Sequence, residues 1–373
     1  MDFSFTEAQS AVAGLAKRIF EERLGPAAMK ALEAHPERFD RKIWGELAKA
    51  GLLGMAIPEA HGGAAHGFLE LCALLEEAGA AVAPLPLWET LVLGAMTVER
   101  FATDAQRARL LPRVVTGECI LTAALAEPDG DDPMHVKTTA RMNGGTWKLD
   151  GVKTCVPAAA LAERILVPAT TGANTLGLFL VDPRAAGVRL ERQIATTGDV
   201  QYRVSFDGAH VASEDVVGDP SCGGAVLEWL IPRATVALCA MELGIVGRAL
   251  KTTATYTTSR QQFERPIATF QAVAQRAADA FIDVESIRVT MWQAAWRLSE
   301  GLPAEEAVAI AKLFASEAGH RVVYAAQHLH GGMGFDAEYP LYRYYLRSKQ
   351  IELTLGSASV HLARLGHALA RTP

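Results

Sequence analysis

The run Tyr256-Thr257-Thr258-Ser259-Arg260-Gln261-Gln262-Phe263-Glu264-Arg265-Pro266-Ile267-Ala268-Thr269-Phe270-Gln271 sits between two long helical patterns. Tyr256 and Arg260 are four apart and share a helix face. Pro266 lacks an N–H and clashes inside a helix, so it forces a break. The next helix is expected to start near Phe270 and to run through Gln271, Val273 and Ala277. Arg260, Gln262 and Phe263 are therefore displayed at a helix end with rigid elements on both sides. A cation, an amide and an aromatic ring in that setting suit a phosphate-bearing nucleotide. They equally suit a polar helix end with a buried Phe, and spacing alone leaves both open.

Working outward, 373 residues are enough for two or three domains with ample core. The chain is 50% hydrophobic and 21% charged, an ordinary profile for a soluble protein. A net charge of -6 gives no reason to expect nucleic acid. Five cysteines, at 72, 119, 155, 222 and 239, show no Cys-x-x-Cys spacing, which argues against zinc and against a disulfide framework. The start, Met1-Asp2-Phe3-Ser4-Phe5-Thr6-Glu7, is acidic with no apolar signal core, and no long uncharged apolar run points to a membrane span. Reduced thiols in a cytoplasmic protein are the expectation.

Residues 1–119 read as helices. Thr6 is a candidate N-cap before Glu7-Ala8-Gln9, with Val12, Leu15 and Ile19 at helical spacing. Trp44, Leu47 and Ala48 continue the pattern until Gly51 ends that helix. Leu52 to Glu59 then leads to Gly62-Gly63, flanked by His61 and His66, which read as surface loop histidines. Residues 120–219 change texture. Val136–Arg141, Thr146–Asp150, Arg164–Ala169, Thr175–Val181 and Gln201–Phe206 are short and β-rich, and Asn143-Gly144-Gly145 marks a turn. A small antiparallel barrel or sandwich is expected there. Residues 220–373 return to helix, where Ala237, Met241, Gly244 and Ala249 form a small-residue face that permits close packing.

The opening run, written Tyr-x-x-x-Arg-x-Gln-Phe-x-x-Pro-Ile-x-x-Phe-Gln, resembles the C-terminal helical motif of acyl-CoA dehydrogenases. The Trp44 to Gly63 segment resembles that family's N-terminal run. The order of helices, β domain and helical bundle is also the family's. The resemblance implies an α+β multidomain fold with an N-terminal helical domain, a middle β domain and a C-terminal four-helix bundle. It further implies FAD as cofactor and α,β-desaturation of an acyl-CoA thioester, with electron-transferring flavoprotein as the acceptor. By the same resemblance, Arg260, Gln262, Phe263 and Gln271 hold the ADP half of a neighbour's FAD. Gln327, Gly331 and Gly332, within Gln327-His328-Leu329-His330-Gly331-Gly332-Met333-Gly334-Phe335, are similar to the motif that holds its adenosine end. Those glycines also suit a helix C-cap turn. Glu338, Pro340, Arg343 and Arg347 follow in familiar places, the two arginines expected to bind carboxylates inside the bundle. Glu264 departs from the family, which usually has Gly there. A carboxylate beside a pyrophosphate would have to point away or pair with Arg265.

Such a dehydrogenase needs a carboxylate for the α proton and a flavin for the β hydride. The family's flavin-ring motif Thr-Glu-Pro-x-x-Gly-Ser-Asp is matched here by Ala126-Glu127-Pro128-Asp129-Gly130-Asp131-Asp132, which lacks the Thr and the Ser. After Gly151-Val152-Lys153-Thr154, the family's aromatic-Ile-Thr/Ser run is replaced by Cys155-Val156-Pro157, and Pro has neither N–H nor hydroxyl. Thr154 could substitute only with a slipped register. The two places where the family carries its catalytic Glu align with Gly356 and Ala234. Glu242, eight residues beyond Ala234 and roughly 80° around the helix, is a candidate displaced base. Glu352, about one turn before Gly356, is another.

The chain thus keeps what it would lend to a neighbour and lacks what it would itself use. Three readings follow: one subunit of an α2β2 complex whose unlike partner supplies the base, a homotetramer with a displaced base, or a non-catalytic acyl-CoA-binding scaffold.

Overall fold

Thr6 accepts a hydrogen bond from the backbone of Gln9, whose side chain reaches back to the Thr6 N–H. This reciprocal cap starts α1 (Glu7–Arg23), where the sequence placed it. The computed structural model describes residues 4–128, 130 and 132–371. Asp129 and Asp131, two of the acids in the Glu127 loop, and the first three residues of the acidic start lie outside the described residues.

The other helices are α2 (Pro26–Ala34), α3 (Arg41–Lys49), α4 (Phe68–Ala80), α5 (Met96–Phe101), α6 (Asp104–Val115), α7 (Gly223–Ser259), α8 (Gln271–Ser299), α9 (Glu305–His330), α10 (Leu341–Leu353) and α11 (Ala358–Arg371). A π-helical segment, Trp88–Ala95, runs into α5. Gly51, at φ +76, stands just past the end of α3 as expected.

The chain forms two compact units. One combines the described part of Met1–Lys30 with Phe68–Ala83 and Thr235 onward, and the other takes Ala31–Gly67 and Pro84–Ala234. In the first, α8 and α10 pack on α9, with α11 also on α9 and α1 on α4; α7 joins this bundle through Glu242, which meets Ser348 of α10 and Gly319 of α9. The sequence's small-residue face on α7 meets α4 here. A Cβ on Gly244 would fall 1.8 Å from the Glu76 carbonyl oxygen, and one on Gly79 would fall 2.0 Å from that of Met241. Two backbones touch where no side chain fits. By length and composition α7 is apolar enough to cross a membrane, but 83% of its apolar window is buried, as in a core helix.

The second unit carries a seven-stranded sheet. Its strands are β1 (Leu121–Ala123), β2 (Thr139–Asn143), β3 (Thr146–Pro157), β4 (Arg164–Gly172), β5 (Thr175–Val181), β6 (Val188–Ile194) and β7 (Val200–Ala212). Their order is β1-β4-β2-β3-β7-β6, with β5 also paired to β4. The ladders are antiparallel except where β4 meets β1 and β2. Gly144 and Gly145, at φ +59 and +85, make the two-residue turn between β2 and β3. β3 and β7 outrun their expected lengths because β3 continues through two register shifts, the second between Lys153 and Val156. β1 and β6 escape the sequence reading. The first has only three residues, all buried, and the second is half-exposed and rich in charge. Trp147 and Phe179 meet edge to face at 5.3 Å in the core of this sheet.

Overpacking the glycine crossing should be costly. Gly244→Ala is expected to lose about 3 kcal/mol in urea unfolding, because backbone and not a side-chain tip blocks the new methyl. Gly247→Ala, on the same helix with open space around it, should be neutral or gain up to about 1 kcal/mol.

Candidate active site

The Tyr256–Gln271 run folds as a helix end, a tight hairpin and a helix start. α7 stops at Ser259, and Gln261–Gln262 (β8) pairs with Arg265–Pro266 (β9). Phe263 and Glu264 form the turn between them with φ of +52 and +63, both in the left-handed region. That turn favours glycine at its second position, which is where Glu264 stands. Arg260, Gln262 and Gln271 are exposed. Phe263 is 87% exposed, so the buried-Phe alternative is excluded for this chain. Its ring lies 6.2 Å from that of Phe270, and the Arg265 guanidinium packs over the Phe270 ring at 4.2 Å. Pro266 precedes a one-turn 3-10 helix, Ile267–Thr269, and α8 begins at Gln271, one residue beyond the expected start.

The end of α9 is tied to this hairpin's stem. His330 is buried, stacks on Tyr256 with ring centroids 4.3 Å apart, and lies beside Tyr339. Its Nδ1 is 2.8 Å from the Ala326 carbonyl oxygen, so Nδ1 carries the proton and donates. Nε2 lies 3.1 Å from the Tyr339 hydroxyl and accepts from it. Burial holds the imidazole below its ordinary pKa, against the pull of that backbone bond. The structure thereby brings Arg260 and Gln262 into one framework with Gln327, Gly331 and Gly332. Gly331, at φ +58, ends α9, and Gly331–Phe335 forms a 3-10 turn. Gln327 is buried and its Oε1 has no hydrogen-bond partner in the chain. A Cβ on Gly334 would fall 2.2 Å from that oxygen. An unsatisfied buried acceptor is costly, a condition this oxygen shares with Glu242 Oε2 in the bundle.

In the other unit, Glu127 has no spare capacity. Its Oε1 accepts from Lys153 Nζ at 2.7 Å, Thr138 N at 3.0 Å and Thr138 Oγ1 at 2.7 Å, and its Oε2 accepts from Lys137 N at 2.7 Å. Burial alone would raise its pKa, but Lys153 and the Thr138 donors outweigh it and hold the carboxyl below the usual range. Thr154 and Cys155 fill the bulge in β3, with Cys155 at φ +51. The Thr154 hydroxyl lies 3.2 Å from the Gln193 amide nitrogen, and the Cys155 N–H donates to Gln193 Oε1 at 3.0 Å. Pro157 offers only its carbonyl, which accepts from the Thr122 hydroxyl at 2.8 Å.

No available carboxylate stands at either position where the sequence led us to look for a base. Ala234 is buried, and its carbonyl accepts from Trp88 Nε1 at 3.0 Å. Gly356 is buried at φ +101. Glu242 is completely buried inside the bundle, where Ser348 donates to its Oε1 at 2.6 Å. Gly319 faces the same carboxyl, and a Cβ there would fall 2.5 Å from Oε1. Burial pushes the Glu242 pKa up to about 7. Glu352 pairs with Lys349 one turn earlier on α10. Arg347 donates to the Gln350 amide at 2.9 Å, and Arg343 lies over the Tyr342 ring. Among the described residues no group of three His, Cys, Asp or Glu is placed to hold a metal, and all five cysteines are free.

Three family models match in succession: the acyl-CoA dehydrogenase N-terminal domain over residues 6–118, the middle domain over 122–209 and the C-terminal domain over 223–370. The chain belongs to the acyl-CoA dehydrogenase family. It is 38% identical to acyl-CoA dehydrogenase FadE27 of Mycobacterium tuberculosis over the full length of both. Among solved structures it is similar to the ChsE4-ChsE5 complex from Mycobacterium tuberculosis, with TM-score 0.94, 38% identity and 100% of each chain covered. It is also similar to a Tcur3481-Tcur3483 steroid ACAD variant, with TM-score 0.91, 43% identity and 98% of each chain covered. Members are oxidoreductases and their cofactor is FAD. The residues at the end of α9 and in the hairpin fit the ADP half of FAD: an orphaned buried amide oxygen, a cation and an exposed ring in one framework. Among the described residues around Glu127 and Pro157, the side chains of Glu127, Lys153 and Thr154 are engaged within the chain and Pro157 has no donor, a poor fit to the isoalloxazine half.

The sequence reading missed His330 and Tyr339, which join the two ADP-side segments. The only available signal was a ring-bearing residue directly before Gly331. It also missed Gln193, whose role depends on a strand that the reading did not assign.

Two measurements probe the buried acids. Lys153→Met should cost about 3–5 kcal/mol in chemical denaturation by stranding Glu127, and adding Glu127→Gln should recover part of it. Glu242 has a folded pKa above its unfolded one, so its contribution is full below the unfolded value and fades as pH rises through about 7. Glu242→Gln should therefore gain stability over wild type between pH 5 and pH 8, by roughly 2–3 kcal/mol.

Proposed function

We propose that this chain is the subunit of a heteromeric acyl-CoA dehydrogenase that completes the FAD site of an unlike family member and leaves the catalytic base to it. An α2β2 assembly through the C-terminal bundle follows, with the chain divided functionally into residues 1–119, 120–219 and 220–373. The observation that carries this reading is an asymmetry. Arg260, Gln262 and Phe263 are exposed and Gln327 Oε1 is unsatisfied, while each carboxylate near a base position is buried or paired. Supporting it, the ChsE4-ChsE5 and Tcur3481-Tcur3483 structures each name two components.

In this reading Arg260 and Gln262 would hold the diphosphate of a neighbour's FAD, by a charge-assisted hydrogen bond and an amide bond. Phe263 and Gln271 would flank it, and Gln327 with Gly331 and Gly332 would receive the adenosine end. The glycines let the backbone approach closely. FAD, when bound, supplies the acceptor for the β hydride of an acyl-CoA thioester. The steroid ACAD relative favours a steroid-bearing acyl group over a simple fatty one. Electron-transferring flavoprotein is the proposed acceptor and the cytoplasm the proposed location. The homotetramer reading loses support because Glu242 is sealed inside the bundle.

Flavin absorbance tests this directly. The chain produced alone should be colourless, and co-production with a base-carrying family member should give a yellow, active assembly. Stoichiometric flavin and activity in the lone chain would refute the shared site, and a colourless, inactive product with every partner would favour the binding scaffold. In the active assembly, Arg260→Ala should weaken FAD retention roughly 10- to 100-fold, the worth of one hydrogen bond to a charged group, measured by flavin release on dilution.

A further inference from the structure

α10 ends at Leu353, and the chain leaves it through a turn that is held from two sides. From below, the buried Lys312 of α9 donates Nζ to the carbonyls of Ile351 at 2.5 Å and Glu352 at 3.1 Å, and it reaches Ser316 Oγ at 3.4 Å. Thr354 Oγ1 donates to the Gln350 carbonyl at 2.7 Å. Beyond that cap, Leu355 and Gly356 both take positive φ, +59 and +101. From the other side comes His361 of α11, 2% exposed, with Nε2 3.0 Å from the Leu355 carbonyl oxygen. A carbonyl only accepts, so Nε2 carries the proton. Burial keeps the ring neutral, its pKa pushed down to about 4.

The φ of residue 356 sets the direction of the peptide plane before it, and so of the Leu355 carbonyl. At +101° that carbonyl faces His361, and only glycine holds such a φ without strain. A Cβ at 356 would meet Val360 Cγ1 at 3.1 Å and His361 Nε2 at 3.2 Å. Any L side chain would push the backbone toward negative φ and swing the carbonyl off its donor.

We infer that His361 is a positioning residue whose Nε2–H holds residues 354–357 in a glycine-only turn, so that a carboxylate cannot be restored at 356 by one substitution. This rests on reading 356 as the position where a base-carrying family member places its Glu. The missing base is then a property of the turn as well as of one residue: the segment presents backbone where another member would present a side chain.

The test is imidazole nitrogen NMR on the full chain, with thermal melts of the same samples. Wild type should show His361 as the Nε2–H tautomer with a slowly exchanging proton. Gly356→Glu and Gly356→Ala should both lose that signal and melt several degrees lower. If the Glu variant does not fold, the smaller Ala variant decides. His361→Gln, which keeps an N–H donor, should stay closer to the wild-type melting temperature than His361→Leu. An Nδ1–H tautomer in wild type, or either Gly356 variant with an unchanged His361 signal and melting temperature, would overturn the inference. So would equal losses in His361→Gln and His361→Leu. Flavin content of the co-produced wild-type assembly decides the shared-site reading separately: a colourless assembly would sink that reading and leave the His361 signal as it is.

Discussion

The crossing of α4 and α7 at Gly79 and Gly244 is the constraint on which the bundle depends. There the carbonyl of each helix occupies the space where the other would carry a Cβ. Backbone contact at this distance fixes the height and rotation of α7, because a single methyl on either side would separate the helices. Fixing α7 fixes what it carries. Glu242 points into the bundle toward Gly319 and Ser348, and one end of the helix delivers Tyr256 and Arg260 to the hairpin. The Tyr256–His330 stack then locks that end to the close of α9.

Polar groups are distributed unevenly over this frame. Glu127 is surrounded by four donors, Lys312 by three acceptors, and His361 and His330 each have a fixed tautomer set by a backbone carbonyl. These groups rigidify the molecule. The Gln327 amide oxygen and the Phe263 ring are the opposite case. One is buried without a donor, and the other is an aromatic ring in water on a strained turn. A fold tolerates both costs where a ligand or neighbour relieves them. That difference in engagement is what the proposed division of labour between this chain and an unlike partner rests on.

Much of this was legible in the sequence for local reasons. A Thr and a Gln three apart cap α1, Gly51 stops α3, and Gly144-Gly145 turns the β2–β3 hairpin. Each depends on residues within one turn of one another, so the order of elements and the motif residues could be read directly. The absence of Glu from positions 234 and 356 is likewise a fact of sequence. What tertiary structure alone decided is which polar groups remain available. Glu242 was a candidate displaced base, and spacing left Phe263 either buried or displayed to a nucleotide. Packing seals the first among three helices and leaves the second exposed. Burial and pairing depend on contacts across a hundred or more residues, such as Glu242 with Ser348, and no local pattern encodes them.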